Sequence, residues 1–208
     1  MDNYIPYGRQ SISEEDIQAV VAVLRSDWLT QGPAIEQFEK VVSDYCGAKY
    51  AVAVNSATSA LHIACLAAGL GPEDMLWTTP NTFVASANCG LYCGSNIDFV
   101  DIDPITYNLD TVTLEEKLRK TVQKGSLPKI VVPVHFAGQS CKMDRIAELS
   151  RQYGFMVVED ASHAIGGRYK KNIIGSCAFS DMTVFSFHPV KIITTGEGGM
   201  VLTNREDV

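Results

Sequence analysis

Apolar residues recur at helical spacing in the first quarter of the chain. Ile17, Val20, Val21 and Leu24 follow Ser13-Glu-Glu-Asp16, a capping-box pattern, which predicts a first helix over about 14–25. A loop over 27–33 precedes a second helical set, Ile35, Phe38, Val41, Val42 and Tyr45, which runs up to Gly47. Residues 50–54 then read as the first core strand. From there, short apolar runs near 74–79, 97–101, 129–134, 155–159, 182–187 and 199–203 alternate with helical patterns near 57–68, 82–92, 111–122 and 142–153. That rhythm predicts an α/β fold with three layers, α/β/α, in which helices cover both faces of a mainly parallel sheet. The last two runs lie too close together for a crossover helix, so antiparallel pairing is expected in that part. The chain contains no internal repeat, low-complexity tract or evident linker.

Two of these runs end in chemistry-bearing residues. Phe155-Met-Val-Val-Glu-Asp-Ala-Ser-His163 is continuously apolar until it reaches two acids, as expected of a buried parallel strand with carboxylates at its C-terminal end. Ligands of open α/β sheets bind at that edge. The second run, Phe185-Ser-Phe-His-Pro-Val-Lys191, leads into Ile192-Ile-Thr-Thr-Gly-Glu-Gly-Gly199. A lysine there, with Phe185, Phe187, Val190, Ile192 and Ile193 as an apolar setting, suits an amine kept neutral to attack a carbonyl. Pyridoxal 5'-phosphate requires such a lysine, together with a carboxylate that keeps its pyridine nitrogen protonated. Lys191 and Asp160 are the candidates. The competing readings are a lysine snorkelling from a strand end and an aspartate capping the following turn.

Three further segments fit the same ligand. Asn55-Ser-Ala-Thr-Ser-Ala60 lies between a strand and an apolar helix, so its backbone N–H groups, around Ala57 and Thr58, and the helix dipole form a phosphate cradle. Thr58 and Ser59 offer hydroxyls, and simple N-capping is the alternative use of the same residues. Ser186, five residues before Lys191, is placed to donate to that phosphate. Thr79-Pro-Asn-Thr-Phe-Val84 brings Phe83 to the same edge, where it can stack on a pyridine ring or pack in the core. His163, three residues after Asp160, is a hydrogen-bond partner for the cofactor's phenolic oxygen or, alternatively, a turn histidine bonded to backbone.

Composition narrows the class. The 208 residues carry a formal charge of -7 and are 46% hydrophobic, which supplies an ample core for one globular domain and opposes binding to a nucleic-acid backbone. No apolar run approaches the roughly 20 residues of a membrane span, and the start Met1-Asp-Asn-Tyr4 lacks a basic signal region. A cytoplasmic location without membrane partners is expected. Cys46, Cys65, Cys89, Cys93, Cys141 and Cys177 are scattered and read as buried free thiols, and the isolated histidines His62, His135, His163 and His188 argue against a metal site.

Taken in order, Trp28-Leu-Thr-Gln-Gly-Pro33, Ser56-Ala-Thr-Ser-Ala-Leu61, Thr82-Phe-Val-Ala85, Val158-Glu-Asp-Ala-Ser-His163, Ser186-Phe-His-Pro-Val-Lys191 and Gly196-Glu-Gly-Gly199 resemble the DegT/DnrJ/EryC1/StrS sugar aminotransferases, fold-type I pyridoxal-phosphate enzymes, over essentially the whole chain. The resemblance implies that Lys191 holds the cofactor covalently, Asp160 meets the pyridine nitrogen, Thr58 and Ser186 bind phosphate and Phe83 stacks on the ring. Related dehydratases replace the lysine with histidine, so Lys191 points to amino transfer. Ala57 where most of the family has glycine, and His163 where it has glutamine, resemble the pseudaminic-acid branch. That branch implies a transaminase for UDP-4-amino-4,6-dideoxy-N-acetyl-β-L-altrosamine, with L-glutamate as donor to C4 of a UDP-linked 4-keto sugar. Tyr7, Asp27, Trp28, Leu29 and Thr30 would contact the nucleotide sugar. Another nucleotide-linked 4-keto or 3-keto sugar is the alternative substrate. The family also implies a homodimer and nearly twice this length. Residues 1–208 would then be most of the cofactor-binding large domain without the small C-terminal one, and an inactive fragment or a non-catalytic scaffold is the rival reading.

Overall fold

A computed structural model of the chain describes residues 8–123 and 125–208. Its helices are α1 (Glu14–Leu24), α2 (Pro33–Cys46), α3 (Ala57–Ala67), α4 (Ala85–Tyr92), α5 (Thr111–Val122) and α6 (Met143–Tyr153). Its strands are β1 (Tyr50–Val54), β2 (Met75–Thr78), β3 (Asn96–Phe99), β4 (Ile130–Val132), β5 (Met156–Asp160), β6 (Arg168–Tyr169), β7 (Asn172–Ile173), β8 (Met182–Ser186) and β9 (Gly199–Thr203). Seven strands form one sheet in the order β1-β9-β8-β5-β4-β2-β3, and β6 and β7 pair as a separate hairpin. β3, β2, β4, β5 and β8 are mutually parallel, while β9 runs antiparallel to both β8 and β1. Reversal at β9 matches the expectation drawn from the short spacing around Lys191.

Side-chain alternation decides the layers. Ile130 and Val132 face α3 and α4 together with Leu76, Val158, Met182 and Val184. Val131, between them, turns to the other face with Trp77 and Val157, against Leu114 and Leu118 of α5 and Ile146 and Leu149 of α6. Beside that second cluster, α2 covers Phe185, Met200 and Leu202 through Val42 and Cys46. Each fully buried aliphatic side chain contributes about 1.5–3 kcal/mol relative to exposure, so a strand buried on both faces needs no polar alternation, and β4, β8 and β9 show none.

Four elements depart from the sequence pattern. β1 is an edge strand rather than a core one: it pairs only with β9, and Tyr50 and Val52 are 42% and 50% exposed. In α1 the capping box forms, with the Ser13 N–H donated to Asp16 Oδ2 at 2.8 Å and the Asp16 N–H to Ser13 Oγ at 3.3 Å. Yet Ile17, Val20 and Leu24 stay exposed and no residue of α1 is buried, because a cap is a local contact and nothing among the described residues packs on that face. α4 starts at Ala85, not 82, since Thr82 bonds the Ser86 hydroxyl at 2.8 Å and Phe83 turns outward. The β6–β7 hairpin, with two-residue strands, is too short to carry a periodicity.

Candidate active site

The parallel strands end together on one edge, and the chain switches direction between β2 and β4: β3 lies on one side of β2, and β4, β5 and β8 follow on the other. A crevice at such a point is where open α/β sheets take ligands. Here it is a cavity of about 450 Å³. Loops after β2 supply Asn81, Thr82 and Phe83; the end of β4 supplies His135; β5 ends in Asp160; β8 ends in Ser186; and the loop between β8 and β9 supplies Lys191.

The N-terminus of α3 forms the floor at one side, with Ser56, Ala57 and Thr58 on the cavity wall. Ser56 caps the helix by accepting the Ser59 N–H at 3.2 Å, and its hydroxyl donates to Ser59 Oγ at 3.1 Å. Ser59 is thereby used within the helix and does not line the cavity, so of the two expected hydroxyl donors only Thr58 faces it. The first N–H groups of a helix have no intrahelical acceptor, and together with the dipole they favour an anion. Gly199, at the start of β9, makes this placement possible: a Cβ there would sit 2.3 Å from the Ser56 carbonyl carbon.

Asp160 is 5% exposed and fully used on one oxygen. Its Oδ1 accepts from the Ser162 N–H at 3.2 Å and the Ser162 hydroxyl at 2.6 Å, and its Oδ2 accepts from the Ser86 hydroxyl at 2.6 Å. Oδ1 thus serves the turn, as the capping reading expects, and Asp160 also lines the cavity. Lys191 is half-buried, with Nζ 2.7 Å from His163 Nε2. Burial lowers the Lys191 pKa below its ordinary value, and the Asp160 charge works in the opposite direction. Burial, then the Lys191 charge, lowers that of His163, with Asp160 again opposing. Both shifts favour neutral nitrogens at this contact. The apolar setting expected around Lys191 holds only in part. Phe185 and Phe187 are buried, but Val190, Ile192 and Ile193 are exposed, because the chain has left the sheet for a surface loop.

Behind the cavity wall, His135 forms with Glu159 a buried pair the sequence did not single out. His135 Nε2 meets Glu159 Oε2 at 2.7 Å, and Glu159 also accepts from the hydroxyls of Ser180 and of Thr183, the latter at 3.0 Å. Burial opposes a charge on the His135 ring and the carboxylate favours one. The backbone N–H of Cys141, donated to Nδ1 at 3.2 Å, decides for the neutral ring with its proton on Nε2. For Glu159, burial would raise the pKa, but the contact with His135 and the two hydroxyls outweigh it and hold the carboxyl below its ordinary value. Gly138 brings the turn after His135 against the backbone of His163, whose carbonyl oxygen would lie 2.7 Å from a Cβ at that position.

Every expected cofactor contact, Ala57, Thr58, Phe83, Asp160, His163, Ser186 and Lys191, lines this one cavity. Phe83 is 73% exposed, which leaves its ring face available and rules out the core-packing alternative. The proposed sugar contacts behave differently. Asp27, Trp28, Leu29 and Thr30 are exposed and do not line the cavity, and Tyr7 lies outside the described residues. Ser86 and Ser162, which hold Asp160, went unrecognised in the sequence. Ser162 carries a legible signal, a hydroxyl two residues after an aspartate, whereas Ser86 is 74 positions away from its partner.

Known proteins share this fold. Residues 10–208 match the DegT/DnrJ/EryC1/StrS aminotransferase family. The chain is 44% identical over 207 residues to the spore coat polysaccharide biosynthesis protein SpsC of Bacillus subtilis, covering 100% of this chain and 51% of that protein. It is 41% identical over 204 residues to the UDP-4-amino-4,6-dideoxy-N-acetyl-beta-L-altrosamine transaminase of Campylobacter jejuni, covering 98% of this chain and 52% of the relative. Among solved structures, the putative sugar aminotransferase Spr1654 from Streptococcus pneumoniae, in its PLP form, superposes with a TM-score of 0.87 at 31% identity, over 98% of this chain and 54% of that one. The chain thus spans about half the length of the relatives it matches. With residues 10–208, nearly all of the chain, inside the family match, the chain belongs to the DegT/DnrJ/EryC1/StrS aminotransferase family.

Proposed function

We propose that this chain is the cofactor-binding large domain of a pyridoxal-phosphate-dependent aminotransferase that transfers nitrogen from L-glutamate to C4 of a UDP-linked 4-keto-6-deoxy-N-acetylhexosamine. The observation that carries the reading is the convergence of the Lys191 amine, the Asp160 carboxylate and the N-terminus of α3 on one cavity. The residues fit the cofactor group by group. Ala57, Thr58 and Ser186 would hold the phosphate, Asp160 Oδ2 the pyridine nitrogen, His163 the phenolic oxygen and Phe83 the ring face. When bound, the cofactor supplies an aldehyde that exchanges amines and a ring that takes up an electron pair.

The protein's own part is positional and protolytic. Lys191, whose pKa burial lowers, would hold the cofactor covalently through its amine and, when free of it, would be a base placed to move a proton. His163, with Nε2 2.7 Å from Lys191 Nζ, shares a hydrogen bond with the amine and would orient it. Asp160 holds a negative charge where positive charge must persist on the ring nitrogen.

The UDP-linked sugar is supported by the name of the Campylobacter jejuni relative and by Ala57 and His163. The same reading places a small C-terminal domain outside this chain and makes the working enzyme a homodimer, in line with the half-length match. Borohydride reduction of the protein with pyridoxal phosphate, followed by peptide mapping, tests the cofactor assignment; label on a lysine other than Lys191 would refute it. Mass spectrometry of the sugar product formed from L-glutamate tests the substrate. Preferential amination of a GDP-linked 4-keto sugar would overturn the UDP assignment.

A further inference from the structure

The hydroxyl of Ser86 has a single proton and three acceptors in reach, Asp160 Oδ2 at 2.6 Å, Thr82 Oγ1 at 2.8 Å and the Phe83 carbonyl at 3.3 Å. The shortest contact, to a charged acceptor, takes it. An ionised carboxylate cannot donate, so the direction of this bond is fixed. The Thr82 hydroxyl, 2.8 Å from Ser86 Oγ, must then be the donor in that pair. The result is a directed chain, Thr82 to Ser86 to Asp160, in which each bond polarises the next.

A carboxylate offers about four acceptor sites. Ser162 fills two on Oδ1 through its N–H and its hydroxyl, and Ser86 fills one on Oδ2. One site remains, on Oδ2, in a residue that lines the cavity and is otherwise shut off from solvent. We propose that Ser86, backed by Thr82, is a positioning residue that leaves Asp160 a single open acceptor and thereby selects a ligand with one N–H donor at that point, the protonated ring nitrogen of pyridoxal phosphate.

This rests on the cofactor reading above and adds to it a specific cause of ring-nitrogen protonation. Without the Ser86 hydroxyl, Oδ2 has two open sites, the carboxylate is free to rotate about its Oδ1 anchor, and water competes for the second site.

The test uses the whole chain with pyridoxal phosphate itself. Ser86→Ala removes one oxygen from a buried site, and Thr82→Val removes the outer hydroxyl at a half-buried one. Two quantities are read: the Kd for pyridoxal phosphate by fluorescence titration, and the ¹⁵N resonance of the ring nitrogen of bound, ¹⁵N-labelled cofactor. Ser86→Ala should weaken binding by about tenfold, the size of one lost hydrogen bond to a charged group, and move the ring-nitrogen resonance towards the unprotonated position. Thr82→Val should do the same to a smaller degree, and it decides the matter if Ser86→Ala fails to fold by circular dichroism. Wild-type Kd and wild-type resonance in both variants would overturn the proposal while leaving the cofactor assignment intact. Absence of pyridoxal phosphate binding by the unmutated chain would overturn both.

Discussion

Asp160→Asn separates the two jobs that the structure gives to one carboxylate. On the Oδ1 side, an amide oxygen can keep both bonds from Ser162, so the turn survives. On the Oδ2 side, an NH₂ group replaces an acceptor. Ser86 must reverse and accept from it, sending its own proton to the Phe83 carbonyl at 3.3 Å. Three hydrogen bonds change from charged to neutral, but a buried charge is removed with them, so the net loss of stability should be small, about 1 kcal/mol. In a chain of this size that is roughly a 2–4 °C fall in Tm. The second amide proton now faces the ring nitrogen, so a charged hydrogen bond is replaced by an unfavourable contact with any protonated ring. That should weaken pyridoxal phosphate binding by roughly 10–100-fold. It should slow the half-reaction with L-glutamate by about 10²–10³, as when one preorganised electrostatic contact is lost. Urea denaturation, cofactor titration and the absorbance change on mixing with glutamate measure the three quantities. A variant that loses more than about 2 kcal/mol of stability yet binds pyridoxal phosphate within twofold of wild type would show that Asp160 is a turn residue and nothing more.

Other outcomes follow from single contacts. Gly199→Ala puts a Cβ 2.3 Å from the backbone of Ser56, so it should cost about 1–3 kcal/mol in urea denaturation and also weaken cofactor binding by displacing the N-terminus of α3. Because Lys191 is held below its ordinary 10.5 by burial, the rate of covalent capture of pyridoxal phosphate, followed by borohydride trapping, should rise with pH to a midpoint below that value. In Asp160→Asn, where the opposing charge is gone, the midpoint should drop further. Glu159 has a lowered folded-state pKa, so its contribution is present above its unfolded value of about 4.3 and is lost as pH falls through and below it. Stability measured by urea titration from about pH 6 to pH 3 should therefore fall less steeply in Glu159→Gln than in wild type.

What the sequence made legible is what is local. The run from Phe155 to Val158 had to be a buried strand, because nothing polar interrupts it, and a carboxylate at the end of such a strand, here Asp160, faces the ligand edge of the sheet. The antiparallel return through β9 was legible for the same reason, being fixed by neighbours a few positions away, and the seven expected cofactor contacts, which line the cavity, were legible from their motifs. What stayed hidden is long-range pairing. Ser86 lies in an unremarkable small-residue helix, and only the packing of α4 against the sheet brings its hydroxyl to Asp160. His135 looked isolated and Glu159 read as one of two acids at a strand end, and only the pairing of β4 with β5 makes them partners.

The exposed apolar positions mark the opposite limit. Ile17, Val20 and Leu24 sit at correct helical spacing, and the pattern predicted their helix correctly while implying a packed face that is open among the described residues. Val190, Ile192 and Ile193, beside Lys191, are open in the same way. A hydrophobic period states that a surface is made to be covered; it does not state by what. The loop expected to contact the sugar, Asp27 to Thr30, is exposed between α1 and α2, close in sequence to the first of these faces and outside the cavity wall. Under the proposed function, cofactor binding would be built from the cavity at the sheet edge and recognition of the sugar would draw on the exposed surfaces, so the two should separate experimentally. Lys191 labelling should proceed in the chain alone, and nucleotide-sugar discrimination should appear only when those apolar faces are covered. Discrimination between UDP- and GDP-linked sugars by the 208-residue chain, measured by competition against cofactor-loaded protein, would refute that division.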